Sequence, residues 1–203
     1  PELVYMFDYQ DNANPKADEI LDKRGIFYDK HRSIDITTSV TGTFTTEGWS
    51  VYKYTNLRSD GQPGSNTTFP DTDFPMFRLA DIYLMYAEAV ARGGQGGSMV
   101  MAVQYINALR QRAYGDTAHG VTEAWLTENN YRNILDERCR ELYWEGTRRT
   151  DLVRYGLFTS ANYLWTFKGG VLSGAGVSGR YNVFPIPTTD LSVNANLKQN
   201  EGY

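Results

Sequence analysis

The stretch Asp136-Glu137-Arg138-Cys139-Arg140-Glu141-Leu142-Tyr143-Trp144-Glu145-Gly146-Thr147-Arg148-Arg149-Thr150-Asp151 concentrates more charge and aromatic surface than any other part of this chain. Read as a helix from Tyr131, it places Tyr131, Ile134, Leu135, Arg138, Cys139 and Leu142 at the spacing that builds one buried helical face. Arg138 then lies in the middle of an apolar stripe. A guanidinium cannot shed its charge, so its burial is costly unless carboxylates and carbonyls meet its donors. Gly146 is expected to close this helix in a left-handed conformation, with Thr147 capping a short following helix that carries Arg148, Arg149, Asp151 and Arg154 and runs to about Leu157. Such a cluster is either an anion-binding or catalytic centre or an ion-pair clamp between helices. Alternating signs along a helix, in a chain with 2 histidines, favour the clamp.

Two more helices precede it. Asp73 can cap a helix whose stripe is Met76, Leu79, Ala80, Tyr83, Leu84, Ala87, Val90 and Ala91, stopping at Gly93-Gly94. Ser98 restarts the pattern with Met99, Ala102, Val103, Ile106, Leu109, Arg110 and Ala113, ending near Gly115. Joined by a glycine-rich link, the two read as an antiparallel αα-hairpin over residues 76–114. Glu88 falls beside the first stripe and Arg110 interrupts the second, so Glu88, Arg110, Arg138, Glu141 and Glu145 form the expected buried network. Glu88, Glu141 and Glu145 are the expected partners of Arg138.

Three regions follow from this pattern: strand and loop over 1–72, helices over 73–158, and a loop-rich tail over 159–203. In the first, Val51, Lys53 and Thr55 alternate with Tyr52 and Tyr54 as a strand requires. A Ser/Thr-rich stretch spans Ser33 to Thr46, and a Gly/Pro/Asn-rich loop runs from Arg58 to Asp73, carrying the glycosylation-type triplet Asn66-Thr67-Thr68. The opening run Pro1 to Tyr9 reads as the middle of a strand or loop, so the chain is expected to be a piece of a larger protein.

Composition narrows the function. A net charge of −4 with pI about 5.2, and no basic stripe, argues against a nucleic-acid partner. No apolar run approaches the ~20 residues of a membrane helix. Cys139, the 1 cysteine, lies on an apolar stripe, which suits core packing better than a reactive thiolate. His31 and His119 lack companions at metal-ligand spacing. Asp71-Thr72-Asp73 and the run Asp8 to Asp11 offer oxygens for a structural calcium, but neither matches an EF-hand loop, and no cofactor is implied. Gly174-Ala175-Gly176-Val177-Ser178-Gly179 has the spacing of a dinucleotide fingerprint, yet Arg180-Tyr181-Asn182-Val183-Phe184-Pro185 after it opens no helix. Paired acids for glycoside hydrolysis would need a raised pKa, whereas these acids cluster beside arginines that lower it. The aromatic load is high, with 15 Tyr and 4 Trp. Trp49, Tyr52, Tyr163 and Trp165 fall in loops or at strand edges, where an aromatic is either a stacking platform for a sugar or a lid over the core.

Three blocks, in order, resemble the C-terminal half of the SusD/RagB family of outer-membrane nutrient-binding lipoproteins of Bacteroidota. The first is Tyr52-Lys53-Tyr54-Thr55-Asn56 with Asp73 to Ala89. The second is the opening stretch, similar to the family's ER-x-x-EL-x-x-EG-x-R-x-x-DL-x-R. The third is Phe184-Pro185-Ile186-Pro187 with Asn196 to Tyr203, and Asp22-Lys23-Arg24 is a weaker match near the start. The resemblance implies a mainly α fold of tetratricopeptide-like helix pairs (an α-α superhelix) with extensive loops and a few short strands. It implies glycan binding without catalysis, an N-terminal lipid anchor to the outer membrane that is absent from this chain, and a SusC-like TonB-dependent transporter as partner. The segment Tyr163 to Gly170 looks similar to that of members binding α-glucans. A glycan-active hydrolase, or a structural domain that contacts the transporter without a sugar site of its own, are the alternatives.

Overall fold

The apolar spacing of the central region is realised as an αα-hairpin. In the computed structural model, which describes residues 1–37, 45–58 and 60–203, α1 is Leu79–Ala91 and α2 is Met99–Tyr114. Most of the Ser/Thr-rich stretch and one position of the 58–73 loop therefore lie outside the described residues. Three further helices, α3 (Glu123–Thr127), α4 (Arg132–Leu142) and α5 (Arg148–Arg154), follow, and α6 (Thr188–Val193) lies in the tail. The fold is mainly helical, and among the described residues a small sheet pairs β1 (Phe27–Tyr28) with β2 (Ser50–Val51) antiparallel, Phe27 opposite Val51. The chain divides into two compact units: the first holds the described residues up to Arg148 except Thr37, and the second holds Thr37 with Arg149–Tyr203.

In the first unit Ala80, Leu84 and Ala87 of α1 meet Ala102, Ile106 and Leu109 of α2, and Leu126, Ile134 and Leu142 complete the cluster. Gly93, at φ 90°, turns the chain out of α1 in a conformation that an L side chain resists. A second cluster joins Val4, Phe7, Tyr9, Phe27 and Tyr143, with the Phe7 and Phe27 rings edge to face at 5.3 Å.

Helix ends depart from the sequence expectation for identifiable reasons. The first helix begins at Leu79 rather than at Met76. Arg78 is held extended (φ −146°, ψ 153°) while its guanidinium reaches Glu141 and Glu145, and Met76 is left exposed. Likewise α4 begins one residue after Tyr131, which is itself left-handed at φ 64°. At the other end the first left-handed residue is Trp144 (φ 63°), two residues before Gly146 (φ 75°).

The opening stretch is clamped as its charge demanded, though partly by other partners. Ile134, Leu135, Arg138, Cys139 and Leu142 are buried as the stripe required. So are Glu137 and Glu141 on another face, which makes α4 a buried helix despite its polar sequence. Glu137, with no exposed surface, accepts from Arg24 (2.7 Å), Arg110 (2.8 Å) and Arg140 (2.7 Å). Glu141 accepts from Arg78 (2.6 Å), Arg112 (2.6 Å) and Arg24 (3.1 Å). Glu145 takes Lys53 (2.5 Å) and Arg78 (2.7 Å), and Asp22, also fully buried, chelates Arg24. Lys53 further donates to the carbonyls of Glu141 (2.8 Å) and Tyr143 (2.9 Å), supplying the donors that a helix C-terminus lacks. Arg138 donates to Asp81 of α1 at 2.8 Å, a partner outside the expected set, and Glu88 holds Arg92 at 2.8 Å. Among the described residues, no buried side-chain nitrogen or oxygen lacks a partner.

The second unit has little regular structure and is tied by cations instead. Lys168 is 2% exposed, and its ammonium donates to the carbonyls of Leu157 (3.2 Å), Ser160 (2.6 Å) and Tyr163. Arg149 lies 4.1 Å from the Phe184 ring centroid and donates to the Tyr181 carbonyl. Gln199 closes a two-bond clasp on the backbone of Ile186, which brings the Phe184-Pro185-Ile186-Pro187 block against the C-terminal block.

Burial pushes the Glu137 carboxyl up, but Arg140, Arg24 and Arg110 outweigh it and bring it to about 2, from an ordinary 4.5. A depressed carboxyl pKa contributes stability that is full above about 4.5 and is lost as pH falls towards about 2. Urea melts between pH 6 and pH 2 should therefore show the midpoint dropping within that window, and Glu137→Gln should flatten the drop. The same substitution strands three guanidiniums and should cost about 3–5 kcal/mol at neutral pH. Arg138→Ala should also destabilise, by about 3 kcal/mol, and a parent-like urea midpoint for it would end the clamp interpretation.

Candidate functional site

The four aromatics nominated from sequence occupy unequal environments. Trp49 is half-buried against the second cluster, its ring 6.1 Å from Tyr9 and 6.1 Å from Phe27. Tyr52 is 51% exposed, with the exposed ring of Tyr28 5.8 Å away across the short sheet. The alternation of Tyr52 and Tyr54 with Lys53 explains this, because Lys53 turns inward to Glu145 and sends both tyrosines outward. In the second unit Trp165 is half-buried, with Phe158 at 6.1 Å, Tyr163 at 6.3 Å and the Lys168 ammonium 4.5 Å from its ring centroid. Of the four nominated aromatics, Tyr52 is thus paired with Tyr28 in the first unit, and Tyr163 with Trp165 in the second.

A further aromatic surface lies in the first unit. Tyr54, Phe74 and Trp144 line an open cleft of about 360 Å³, together with Asn56, Thr72 and Asp73. Trp144 is 65% exposed because its neighbours on both sides are anchored. Tyr143 is in the core and donates to the Arg24 carbonyl (2.5 Å), while Glu145 is fixed by Lys53 and Arg78. The left-handed backbone at Trp144 then sends its ring to the surface. Lys53 adjoins Tyr54, so the Lys53–Glu145 pair joins the two aromatic walls through their neighbours. Asn56 is itself held, donating to the Asn66 carbonyl (2.6 Å) and accepting from the Asp71 amide (3.1 Å). Aromatic faces with a polar rim suit a ligand that has an apolar face and hydroxyl edges. From sequence, Trp144 and Tyr54 were visible only as parts of a charged helix and a strand. The signal for them was local, since each sits beside a residue of the buried network.

The remaining candidates carry other duties. Asp71 accepts from the Ser65 amide (2.6 Å) and hydroxyl (2.5 Å), and Asp11 accepts from the Ala13 amide (2.9 Å) and from Asn14 (2.9 Å), so both acids shape turns. His119 bonds Asp116 (2.9 Å) and stacks on Tyr114 at 4.0 Å. Among the described residues, no three His, Cys, Asp or Glu side chains gather as a metal site, and no helix is long and apolar enough to cross a membrane. Gly174 to Gly179 leads into a single 3-10 turn, Gly179–Asn182, which cannot seat a pyrophosphate as a helix N-terminus does. Cys139 is buried.

Known proteins place these features. The SusD family model matches residues 32–203. The chain is 48% identical over 159 residues to the starch-binding protein SusD of Bacteroides thetaiotaomicron, covering 78% of this chain and 26% of that protein. It is 32% identical over 186 residues to the SusD-like protein P25 of Formosa agariphila, covering 86% of this chain and 32% of that one. Two solved structures from Bacteroides fragilis share the fold across 100% of this chain. One, a SusD-like protein, has TM-score 0.63 and 21% identity over 46% of its own length; the other, a SusD superfamily protein, has TM-score 0.53 and 24% identity over 40%. The chain thus spans about a quarter to a third of the curated relatives it matches. With the family's charged stretch clamped as one buried network and its third block closed by the Gln199 clasp, this chain belongs to the SusD family.

Proposed function

We propose that this chain is part of a protein that captures glycans without catalysis at the outer face of the outer membrane, where an N-terminal lipid anchor would hold it, and passes them to a SusC-like TonB-dependent transporter. The observation that carries the proposal is the 48% identity, over 78% of the chain, to a relative named for starch binding, which makes a starch-like α-glucan the first ligand to test. Stacking is assigned to Tyr52 with Tyr28 and to the cleft of Tyr54, Phe74 and Trp144 in the first unit, and to Tyr163 and Trp165 in the second. Trp49 offers only the part of its ring that the second cluster leaves open. A hydrolytic alternative has less support. Glycosidases need an acid whose pKa is raised; the buried Glu137 and Glu141 are both pushed down by the guanidiniums around them, and Asp136, which burial pushes up, does not line the aromatic cleft.

Native affinity gels cast with starch, xylan and other polysaccharides test the proposal directly. Starch is expected to retard the protein with no release of reducing sugar, and migration unchanged by every glycan would sink the reading. Within it, Tyr52→Ala should weaken retardation by about 2- to 10-fold, the value of one lost stacking contact, while leaving the melting temperature alone. Trp49→Ala should instead cost about 2 kcal/mol of stability, less than a fully buried tryptophan would, with a smaller effect on binding.

A further inference from the structure

Asp73 is an acid that the fold leaves unmatched beside the aromatic cleft. Its sequence context nominates it as a helix cap, but α1 starts only at Leu79, behind an extended Arg78, so Asp73 caps nothing. The neighbouring acids are committed: Glu141 and Glu145 to Arg78 and Lys53, Asp81 to Arg138, and Asp71 to the Ser65 amide and hydroxyl. Among the described residues Asp73 has no hydrogen-bond or ion-pair partner. It is held in place nonetheless. Thr72 donates to the Thr55 carbonyl (3.3 Å) and the Asp71 amide to Asn56 (3.1 Å), which pins the segment that delivers Asp73 to the cleft wall beside Tyr54, Phe74 and Trp144. The Phe74 ring stands 4.0 Å from where a Cβ on Gly146 would lie, so it is seated on the turn that follows α4. Among the described residues no lysine or arginine lines this cleft. Lys53 comes to 5.8 Å from the Tyr54 ring centroid, but its ammonium turns inward to Glu145 and to the carbonyls of Glu141 and Tyr143. Arg78 likewise gives its donors to Glu141 and Glu145. The cleft therefore combines apolar rings with a fixed negative charge and lacks a cation to answer an anionic ligand.

We propose that Asp73 is a specificity-determining residue of this cleft: it accepts the hydroxyls of a neutral pyranose stacked on the aromatic walls, and it turns away glycans that carry carboxylate or sulfate groups. A carboxylate only accepts, and its two oxygens suit a pair of adjacent sugar hydroxyls, each bond being strengthened by the charge. The other polar side chains of the rim discriminate less, because Asn56 and Thr72 already bond within the loop. A uronate or sulfated ring in the same place would set its charge beside Asp73 with no counter-charge at hand, and such a like-charge contact is how a site rejects a wrong ligand. At about 360 Å³ the cleft is near the small end of ligand sites, which suits a segment of about one or two rings. The inference rests on the glycan-capture reading and deepens it, since it concerns which glycans that same cleft admits.

Native affinity gels cast with starch or xylan, and with C6-oxidised starch or polygalacturonate as anionic counterparts, test it. At low salt a neutral glycan is expected to retard the parent chain at least about tenfold more strongly than the anionic ones. About 0.5 M sodium chloride should narrow that gap by screening the repulsion. Asp73→Asn should weaken retardation by the neutral glycan about 3- to 10-fold, and Asp73→Lys should cut the discrimination at least about fivefold. Both substitutions are at an exposed site and should leave the Tm within about 2 °C of the parent. In a Trp144→Ala background Asp73→Lys should no longer change the discrimination, because both side chains hold the same sugar. Retardation of the parent by an anionic glycan as strong as by its neutral counterpart overturns the proposal. So does a discrimination that Asp73→Lys leaves unchanged, or alters equally with and without Trp144; in each of these cases glycan capture itself stands. Migration unmoved by all four polymers removes the capture reading, and this inference with it.

Discussion

Glu137 is the constraint on which the first unit depends. A fully buried carboxylate is tolerable only when its charge is matched and its lone pairs are filled, and here Arg24, Arg110 and Arg140 do both. Those arginines come from the N-terminal loop, from α2 and from α4 itself. Fixing one side chain therefore fixes where three segments meet. Glu141 and Glu145 repeat the arrangement with Arg78, Arg112 and Lys53, and bring in the entry to α1 and the strand region. Hydrophobic packing alone would allow α4 to slide or rotate on the hairpin at modest cost. Directional, charge-assisted hydrogen bonds to several segments leave one register.

That register also sets the surface. Trp144 stands between Tyr143, which is core, and Glu145, which is network, so its ring goes outward without packing of its own. Tyr54 follows Lys53 in the same relation. The cleft walls are consequently by-products of the clamp: their positions are determined by buried neighbours. A family that keeps the buried charges and changes the exposed rings can hold a fold constant while altering what it touches.

Much of this was legible in the sequence, for reasons that explain the failures too. Helical spacing identified α1, α2 and α4 because each has an apolar face, and Arg138 in such a face already required partners. Periodicity could not show that Glu137 and Glu141 are also buried, since a polar position on a helix looks solvent-facing until a distant arginine is brought to it. Asp81 was overlooked as a partner of Arg138 for the same reason, and Asp22-Lys23-Arg24 was read as a faint motif rather than as a segment holding a donor to Glu137. Helix ends were misplaced where long-range bonds overrode local rules. Pro75 and Asp73 advertise a start, yet Arg78 is kept extended by its carboxylates. Loop aromatics were the least readable, because whether Trp49 faces a core or a ligand depends on Tyr9 and Phe27, which lie far from it in sequence.

The two units show two ways to hold irregular chain. In the first, carboxylates on a helix collect cations from the loops. In the second, where acidic partners are few, Lys168 takes the reverse role: one ammonium gathers the carbonyls of Leu157, Ser160 and Tyr163, and a half-buried Trp165 covers it. The cost of burying that ammonium is offset by three backbone acceptors and an aromatic face rather than by a counter-charge. Loop carbonyls that would otherwise face a dry interior unpaired are satisfied at the same time. Since the Tyr163 carbonyl and the Trp165 ring are both held by Lys168, the geometry of this aromatic pair is set by a buried lysine, just as that of Tyr54 and Trp144 is set by Lys53 and Glu145. In both units a cation drawn inward from a loop or strand helps set where an aromatic ring meets solvent, joined in the first unit by the core residue Tyr143.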